Sequence, residues 1–316
     1  MISEDQIIIN LSAKSEGFIG DDAAILPQLN DEQYAISKDL LIEDVHFRTS
    51  YFSPEDLAHK ALHANLSDLA AMGVKPLYIL CGISIPATLE GYANDFLKYL
   101  SKVCKKLKII LIGGDTTASK EKLFISITAI GKTQNHQIKY RSAAIKDNII
   151  CLAGNLGWAH LGFTALERSN NIDAKYIKSF LRPDAKTKEA IWLAAQSSIT
   201  SMMDVSDGLY IDLKRLCKSS NCGAVIYLDN LVYDTQFKNA CQILNLEPLK
   251  IMLEGGEDYG LIFTCNEESF NKLYDSFSKI FKYNLKVIGK ITKKQSVLFY
   301  QNHKFKNLDI LPFTHF

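Results

Sequence analysis

The stretch Ala61–Pro76, ALHANLSDLAAMGVKP, is typical of the end of a helix that runs directly into a strand. Upstream of it, Ser53 and Pro54 supply an N-cap and a proline at the first helical position. Gly73 is a C-terminal stop signal, and a further proline follows shortly after it. The pattern therefore predicts a helix over residues 54–72, followed by a strand.

Asp68 is the unexpected residue in this helix. Helical spacing places it at the end of an otherwise apolar stripe, close to the helix C-terminus, where the macrodipole disfavours a negative charge. The preceding members of the stripe are Leu57, Ala61 and Ala64. A carboxylate in this position needs a partner, and a bound cation would provide one.

Outward from this helix, apolar strand-like runs alternate with helical patterns along the whole chain, which indicates an α/β or α+β fold. A length of 316 residues is long for a single core, so one large or two medium domains are expected. The polar stretch over 132–148 is the candidate boundary, and we expect an N-terminal domain over 1–140 and a C-terminal α/β domain over 141–316. The segments GGDTTASK (113–120) and MMDVSDG (202–208) are predicted to be loops.

The two halves of the chain repeat similar motifs. NLSDLAAMG is similar to DVSDGLYID, and GGDTT is similar to GGEDYG. Coincidence among common loop residues is one explanation. The other is that two related halves face one shared site.

Composition excludes several classes of partner. The 36 Lys and Arg residues balance 35 Asp and Glu residues, so there is no basic excess for nucleic acid. No apolar run is long enough to span a bilayer. Seven cysteines without a Cys-x-x-Cys pair, and an acidic N-terminus without a signal-peptide pattern, favour a reduced, cytoplasmic setting.

Carboxylates at the ends of apolar segments are the main chemical signal. Singly, each is explained as a helix cap or an Asx-turn. If several converge, each close pair repels by about 4 kcal/mol at an effective dielectric near 20, and cations are needed to offset this. Oxygen ligands scattered over the chain, without the EF-hand spacing, favour Mg²⁺ bound together with phosphates. The motifs are GDDAA with Asp22, SKDLL with Asp39, NLSDL with Asp68, GGDTT with Asp115, and DVSDG with Asp204 and Asp207.

Familiar nucleotide signatures are missing. The chain has neither Gly-x-x-x-x-Gly-Lys-Ser/Thr nor a Gly-x-Gly-x-x-Gly that opens a helix. GNLGWAHLG contains three glycines but is better explained as a strand-to-helix turn. His46, between apolar neighbours in EDVHF, is explained by pattern alone as a core histidine.

The combination of these motifs resembles the thiamine-monophosphate kinase family. The resemblance covers nearly the whole chain, and NLSDLAAMG, GGDTT and GGEDY together make it specific. The wider superfamily includes aminoimidazole ribonucleotide synthetase and selenophosphate synthetase. The matching segments, in chain order, are GDDAAIL, SKDLLIEDVHF, KALHANLSDLAAMGVKP, LIGGDTT, RPDA, DVSDGL, GGEDYGLIFT and FTHF.

The resemblance implies an activity and an architecture. It implies ATP-dependent phosphorylation of thiamine monophosphate to thiamine diphosphate, by direct in-line transfer in a site with several Mg²⁺ ions. No catalytic residue beyond the metal-assisted transfer is implied. It also implies a two-domain, aminoimidazole ribonucleotide synthetase-like fold and a homodimer in which the N-terminal domains pair into a barrel-like sheet.

The resemblance also assigns residues by motif. The implied metal ligands are Asp22, Ser37, Asp39, Asp68, Asp115, Asp204 and Asp207. The implied ATP contacts are Gly114, Asp115, Arg141 and Ser206. The implied contacts to thiamine monophosphate are His46, Glu257 and Phe313. Arg141 is also one of only five arginines, and its guanidinium geometry matches phosphate.

Some positions depart from the family pattern. Lys38 stands where the family usually has Thr, next to an expected metal ligand, and this leaves the number of metal ions open. The other departures are Asp44, Ala118, Trp158, His160 and Gly260. These departures keep open the alternative of a catalytically silent nucleotide-binding regulator. Another ATP-using member of the superfamily is a further alternative.

Overall fold

The computed structural model describes residues 21–26 and 32–310. Phe313, an expected substrate contact, lies outside the described residues. Among the described residues the chain forms two β-sheets with helices packed against them, which confirms the mixed α/β class. No helix in this part of the chain is both long and apolar enough to cross a membrane.

The first sheet has five strands in the order β1-β2-β5-β3-β4. Strands β3 and β4 pair in parallel, and the other neighbours pair antiparallel. The strands are β1 (Ala24–Ile25), β2 (Glu32–Ile42), β3 (Lys75–Pro86), β4 (Ile110–Ser119) and β5 (Phe124–Gln134).

One face of this sheet is covered by helices α1 (Pro54–Ala71) and α2 (Glu90–Leu107). The Ser53 hydroxyl caps α1 by accepting the backbone N–H of Asp56, and the expected helix bounds are confirmed to within one residue. Alternate side chains on the strands point into this core. The buried strand residues on the helical face include Ala35, Leu41, Ile79, Ile83, Ile125 and Ile127.

The second sheet has seven strands in the order β12-β11-β8-β10-β6-β9-β7. All neighbours pair antiparallel except β11 and β8. The strands are β6 (Ile149–Ala153), β7 (Ile199–Val205), β8 (Gly223–Tyr227), β9 (Gly260–Cys265), β10 (Lys286–Thr292), β11 (Val297–Gln301) and β12 (Lys304–Lys306).

Helices cover both faces of the second sheet, so its central strands are buried on both sides. Strands β6, β7 and β9 are accordingly buried along nearly their whole length. The helices are α3 (Trp158–Glu167), α4 (Ala174–Leu181), α5 (Thr187–Ala194), α6 (Leu209–Ser219), α7 (Thr235–Ile243), α8 (Pro248–Glu254) and α9 (Glu267–Phe281).

Helix α1 joins the two halves, because it packs on the first sheet and also contacts α4, α5 and β7. Its last turn contributes Ala70 to the core of the second sheet. Gly73 follows in a left-handed conformation (φ +73°), and a Cβ there would lie 2.2 Å from Ala194 Cβ. Only glycine allows the two halves to approach this closely at the end of α1.

Two expected loops are partly strand. The segment GGDTTAS belongs to β4, where its backbone pairs with β3, and Met202–Val205 belongs to β7, where it pairs with β9. Small and polar residues are typical of turns, but pairing with a neighbouring strand outweighs this local preference. The GNLGWAHLG segment is a strand-to-helix turn, as predicted.

Candidate active site

Three carboxylates from three parts of the chain converge where α1 meets both sheets. One oxygen each from Asp22, Asp68 and Asp204 lies within 4.8 Å of the others. Asp22 precedes β1, Asp68 lies in the last turn of α1, and Asp204 lies near the end of β7. Like charges at this separation repel strongly, so the arrangement has a strong electrostatic affinity for cations.

Each member of this cluster is held by a specific neighbour. Arg141 binds both oxygens of Asp22, at 2.8 Å from Nε and 2.6 Å from Nη2. The Ser67 hydroxyl donates to Asp204 Oδ2 at 2.5 Å. Burial, followed by neighbouring carboxylates, raises the pKa of Asp68 well above its usual range, and burial likewise raises that of Asp204. One guanidinium faces three carboxyl groups, so it cannot offset the charge of all three when they are ionised.

Strand β2 adds Asp39 and Ser37, whose side chains both lie on the face of the first sheet that the helices cover. Burial, together with the charge of Asp207, raises the pKa of Asp39 to about 6, and Asp39 in turn raises that of Asp68. The Ser37 hydroxyl donates to the backbone carbonyl of Asn65 in α1 at 3.2 Å. Five of the six expected aspartate ligands are therefore close enough to perturb one another.

Lys38 lies on the opposite face of β2. Its Nζ donates to Ser126 Oγ at 2.6 Å, and it also lies within 3.5 Å of Thr128 Oγ1, both on β5. The alternation of side chains along a strand thus keeps this ammonium away from the acidic cluster. This departure from the family pattern leaves the carboxylates undisturbed.

Ser206 and Asp207 lie in a turn that Asp212 organises. The Asp212 carboxylate accepts the backbone N–H groups of Ser206, Asp207 and Gly208 at 3.0, 3.0 and 3.1 Å. Arg215 bridges Asp207 and Asp212. Burial and the charge of Asp207 raise the pKa of Asp212 to about 7. The sequence analysis missed Asp212, although an acidic residue in the first turn of α6 is a recognised signal.

Gly114 and Asp115 lie on the exposed edge strand β4, apart from this cluster. Asp115 is opposite Gly82 in the register, on the face of the sheet away from the helices. Strands β5 and β3 separate β4 from β2, so β4 is about 14 Å from β2. Within one chain, Asp115 and Asp39 are too far apart to bind the same ion.

Glu257 and His46 lie outside the three-carboxylate cluster, and their backbone and side chains are held by other contacts. Glu257 has a left-handed backbone (φ +63°), and its N–H donates to the Ser206 carbonyl at 2.6 Å. Its carboxylate pairs with Lys60 of α1 at 2.7 Å. His46 Nδ1 accepts the Ile42 N–H at 3.0 Å, which orients the imidazole in the turn after β2. The next carboxylate, Asp258, instead accepts backbone N–H groups at the start of α3.

The donors fit a hard cation and a phosphorylated ligand. The clustered ligand atoms are carboxylate oxygens without cysteine or histidine, which is the donor chemistry that Mg²⁺ prefers. A guanidinium and a serine turn lie next to them, and both are groups that bind phosphate. The arrangement suits a reaction that transfers or binds phosphoryl groups.

Comparison with known proteins agrees with this chemistry. Residues 20–133 match the N-terminal domain model of AIR synthase related proteins, and residues 147–301 match the C-terminal domain model of the same family. Together the two matches cover most of the chain.

Similarity to individual proteins is equally extensive. The thiamine-monophosphate kinase of Buchnera aphidicola subsp. Schizaphis graminum is 34% identical over 94% of this chain and 92% of its own length. The Haemophilus influenzae thiamine-monophosphate kinase is 32% identical over 92% of this chain and 87% of its own length. A solved structure described as AaThiL complexed with AMPPCP and TMP matches with a TM-score of 0.87 and 27% identity, over 100% of this chain and 97% of that one. The chain therefore belongs to the thiamine-monophosphate kinase family, within the AIR synthase related proteins.

Proposed function

We propose that this protein catalyses the ATP-dependent phosphorylation of thiamine monophosphate to thiamine diphosphate. The observation that carries the proposal is the convergence of Asp22, Asp68 and Asp204 within 4.8 Å, in a chain of this family. The related structure described with AMPPCP and TMP supports the pairing of an ATP analogue with thiamine monophosphate in this fold.

Several Mg²⁺ ions are the proposed cofactors. Asp22, Asp68 and Asp204 would hold ions in the cluster, with Asp39 and Asp207 at its edges and the Ser37 oxygen nearby. Bound Mg²⁺ would neutralise the phosphate charges and orient the γ-phosphoryl group. The oxygen-only donor set and its negative charge when ionised support this assignment.

The proposed transfer is direct and in line. A phosphate oxygen of thiamine monophosphate attacks the γ-phosphorus of ATP. The bond from the γ-phosphorus to the oxygen that it shares with the β-phosphate breaks, and ADP leaves. The attacking oxygen is already ionised, so the reaction needs no strong general base. What remains for the chain is to bring two polyanions together, and Arg141 and the Ser206 turn would bind phosphate beside the cluster.

Glu257 and His46 are the proposed contacts to the thiamine portion. Glu257 presents a partly exposed carboxylate, which suits the cationic thiazolium or the aminopyrimidine of thiamine. Phe313, a further proposed contact, would stack on one of these rings. These assignments follow the family motifs and the contact of Glu257 with the Ser206 turn.

We also propose that two copies of the chain form a homodimer through the first sheet. The face opposite α1 and α2 exposes large apolar side chains, with Leu40 52%, Ile110 57% and Ile112 50% exposed. A second copy would cover them. Asp115, on the edge strand, could then approach the acidic cluster of the second copy, whereas it is too far from the cluster of its own chain.

The test is direct assay of the purified protein with ATP, Mg²⁺ and thiamine monophosphate. Thiamine diphosphate and ADP should form in equal amounts, and chelation of Mg²⁺ should stop the reaction. A panel of other phosphorylated or carboxylated acceptors separates this activity from that of another superfamily member. ATP binding without product from any acceptor would indicate the silent regulator instead.

All seven cysteines are free and buried, which supports a cytoplasmic setting.

A further inference from the structure

Lys60 is a buried charge that the proposed reaction does not use. It lies on α1 with only 1% of its side chain exposed, and its Nζ is 2.7 Å from Glu257 Oε1. The ammonium also lies 3.8 Å from the centre of the Phe180 ring and 5.4 Å from that of Phe52. The carboxylate of Glu257 thus balances the charge of this ammonium.

Stability alone does not explain this lysine. Burial lowers the pKa of Lys60, against the opposing effect of Glu257, because a desolvated ammonium is costly. An apolar side chain of the same length would fill the space between the aromatic rings without that cost, and replacing a buried ion pair in this way is often neutral or stabilising. A charge retained at this position therefore indicates a role outside the core.

The pair is asymmetric, because only one of its two members reaches solvent. Lys60 is enclosed, whereas 33% of the Glu257 side chain remains exposed. Glu257 also sits on a strained loop: its φ is +63°, and the adjacent Gly256 has no room for a Cβ, which would lie 2.6 Å from the Ser206 carbonyl. The Ser206 turn thus holds the loop backbone, and the ion pair with Lys60 holds the carboxylate itself.

Helix α1 relates this anchor to the metal cluster. Lys60 and Asp68 are eight residues apart, on one face of the helix, which corresponds to about 12 Å along its axis. If the phosphate end of the substrate lies at Asp68, a group at Lys60 lies near the opposite, ring-bearing end. One rigid helix then sets the distance between the two.

We infer that Lys60 is a positioning residue that holds the Glu257 carboxylate toward the thiamine portion of the substrate, so that recognition of the rings and alignment of the phosphate are built on the same helix. This inference rests on the proposed function. Lys60 itself does not touch the substrate, because its ammonium is enclosed by Glu257, Phe52 and Phe180.

The experiment measures KM for thiamine monophosphate and for ATP separately in wild type, Lys60→Met, Glu257→Gln and the double variant. Lys60→Met should raise KM for thiamine monophosphate about tenfold and leave KM for ATP within about twofold, since only the ring end is disturbed. The double variant should be no worse than Glu257→Gln alone, because both changes act on one contact. Lys98→Met, which removes an exposed lysine from α2, is the matched control and should match wild type.

Each other outcome overturns the inference. Lys60→Met with an unchanged KM for thiamine monophosphate shows that Glu257 needs no anchor, and an equal rise in both KM values shows a general structural role. Multiplicative losses in the double variant would mean that Lys60 contacts the substrate independently. If Lys60→Met alone does not fold, comparison of the double variant with Glu257→Gln still decides the matter. A wild-type protein that does not phosphorylate thiamine monophosphate at all refutes the proposed function first, and the inference with it.

Discussion

At the scale of single residues, Asp68 combines two unfavourable features that a cation relieves. It lies in the last turn of α1, where the helix dipole is negative. One of its carboxylate oxygens also lies within 4.8 Å of oxygens of Asp22 and Asp204. In the absence of metal these carboxylates repel one another, and the raised pKa of Asp68 reflects burial together with that repulsion. Binding of the proposed cation would relieve both features, and without it the acidic cluster lowers the stability of the fold.

Asp68→Asn should separate function from stability. In chelator the variant should unfold about 2–4 °C higher than wild type, because one repelling charge is removed. The rise in melting temperature that Mg²⁺ produces in wild type should be strongly reduced, and turnover should fall at least about a hundredfold. Thermal unfolding with and without Mg²⁺, and the kinase assay, provide the measurements. Asp95→Asn, on the exposed side of α2, is the control; a full Mg²⁺ response in Asp68→Asn would refute its role as a ligand.

At the scale of secondary-structure elements, the end of α1 sets how closely the two halves pack. Gly73 reverses the chain in a left-handed conformation and lies against Ala194 at the end of α5. The carboxylate of Asp68 and the hydroxyl of Ser67, which binds Asp204, lie within the preceding two turns. Tight packing at this glycine therefore helps to bring the N-terminal and C-terminal contributions to the cluster together.

Gly73→Ala should destabilise the fold by about 2–4 kcal/mol, the combined effect of a strained backbone and of overpacking against Ala194. Urea unfolding measures this loss. Gly91→Ala in α2 is the matched control, because a Cβ at Gly91 meets nothing within 4 Å. There we expect a gain of about 0.5–1 kcal/mol from helix propensity. Equal effects at the two glycines would contradict the close contact.

At the scale of the whole molecule, buried carboxyl groups make the stability of the metal-free protein depend on pH. Burial is the largest cause in each case; it raises the pKa of Asp39 to about 6 and those of Asp212 and Asp258 to about 7, from an ordinary value of 3.8. Between the ordinary pKa and the raised pKa of each carboxyl group, the folded state binds more protons than the unfolded state. The contribution of these carboxyl groups to the free energy of unfolding therefore falls as pH rises from about 4 through 7. Burial lowers the pKa of His63 from 6.5 to about 3, so this imidazole offsets part of that fall below about pH 6.5.

Urea unfolding from pH 5 to pH 8 should accordingly show decreasing stability in chelator. Mg²⁺ should stabilise the protein more at pH 8 than at pH 5, because protons compete with the ion for the same oxygens. The melting temperature with and without Mg²⁺ at each pH gives the comparison. Stability that increases steadily with pH in chelator would show that these carboxylates are not strained by burial.

The assembly is tested at the open face of the first sheet. Leu40→Lys should convert a dimer of twice the 35.5 kDa chain into a monomer in sedimentation experiments, because it places a charge in an apolar contact. Ile280→Lys, at a similarly exposed isoleucine on α9, should leave the dimer intact. A wild-type protein that stays monomeric at all concentrations would contradict the proposed pairing.

The sequence by itself determined the local structure and the chemistry of this protein. Capping and stop signals defined α1, because such signals act between residues only a few positions apart. Motifs in a fixed order indicated the family. Local composition was misleading for GGDTTAS, where strand pairing overrode turn propensity, and it gave no sign that Lys60 is buried under Glu257.

Only the tertiary structure decided which of the acidic residues meet. Ser67 binds Asp204 across 137 positions, and Arg141 binds Asp22 across 119. The tertiary structure also placed Lys38 and Asp115 on the face of the first sheet that lies away from the helices. The alternation of side chains along β2 puts Lys38 there, and the position of β4 at the sheet edge separates Asp115 from the cluster. Residue spacing describes neighbours along one element, whereas the meeting of distant elements depends on the packing of all of them around shared cores. The composition of the site could therefore be inferred from the sequence, and its arrangement could not.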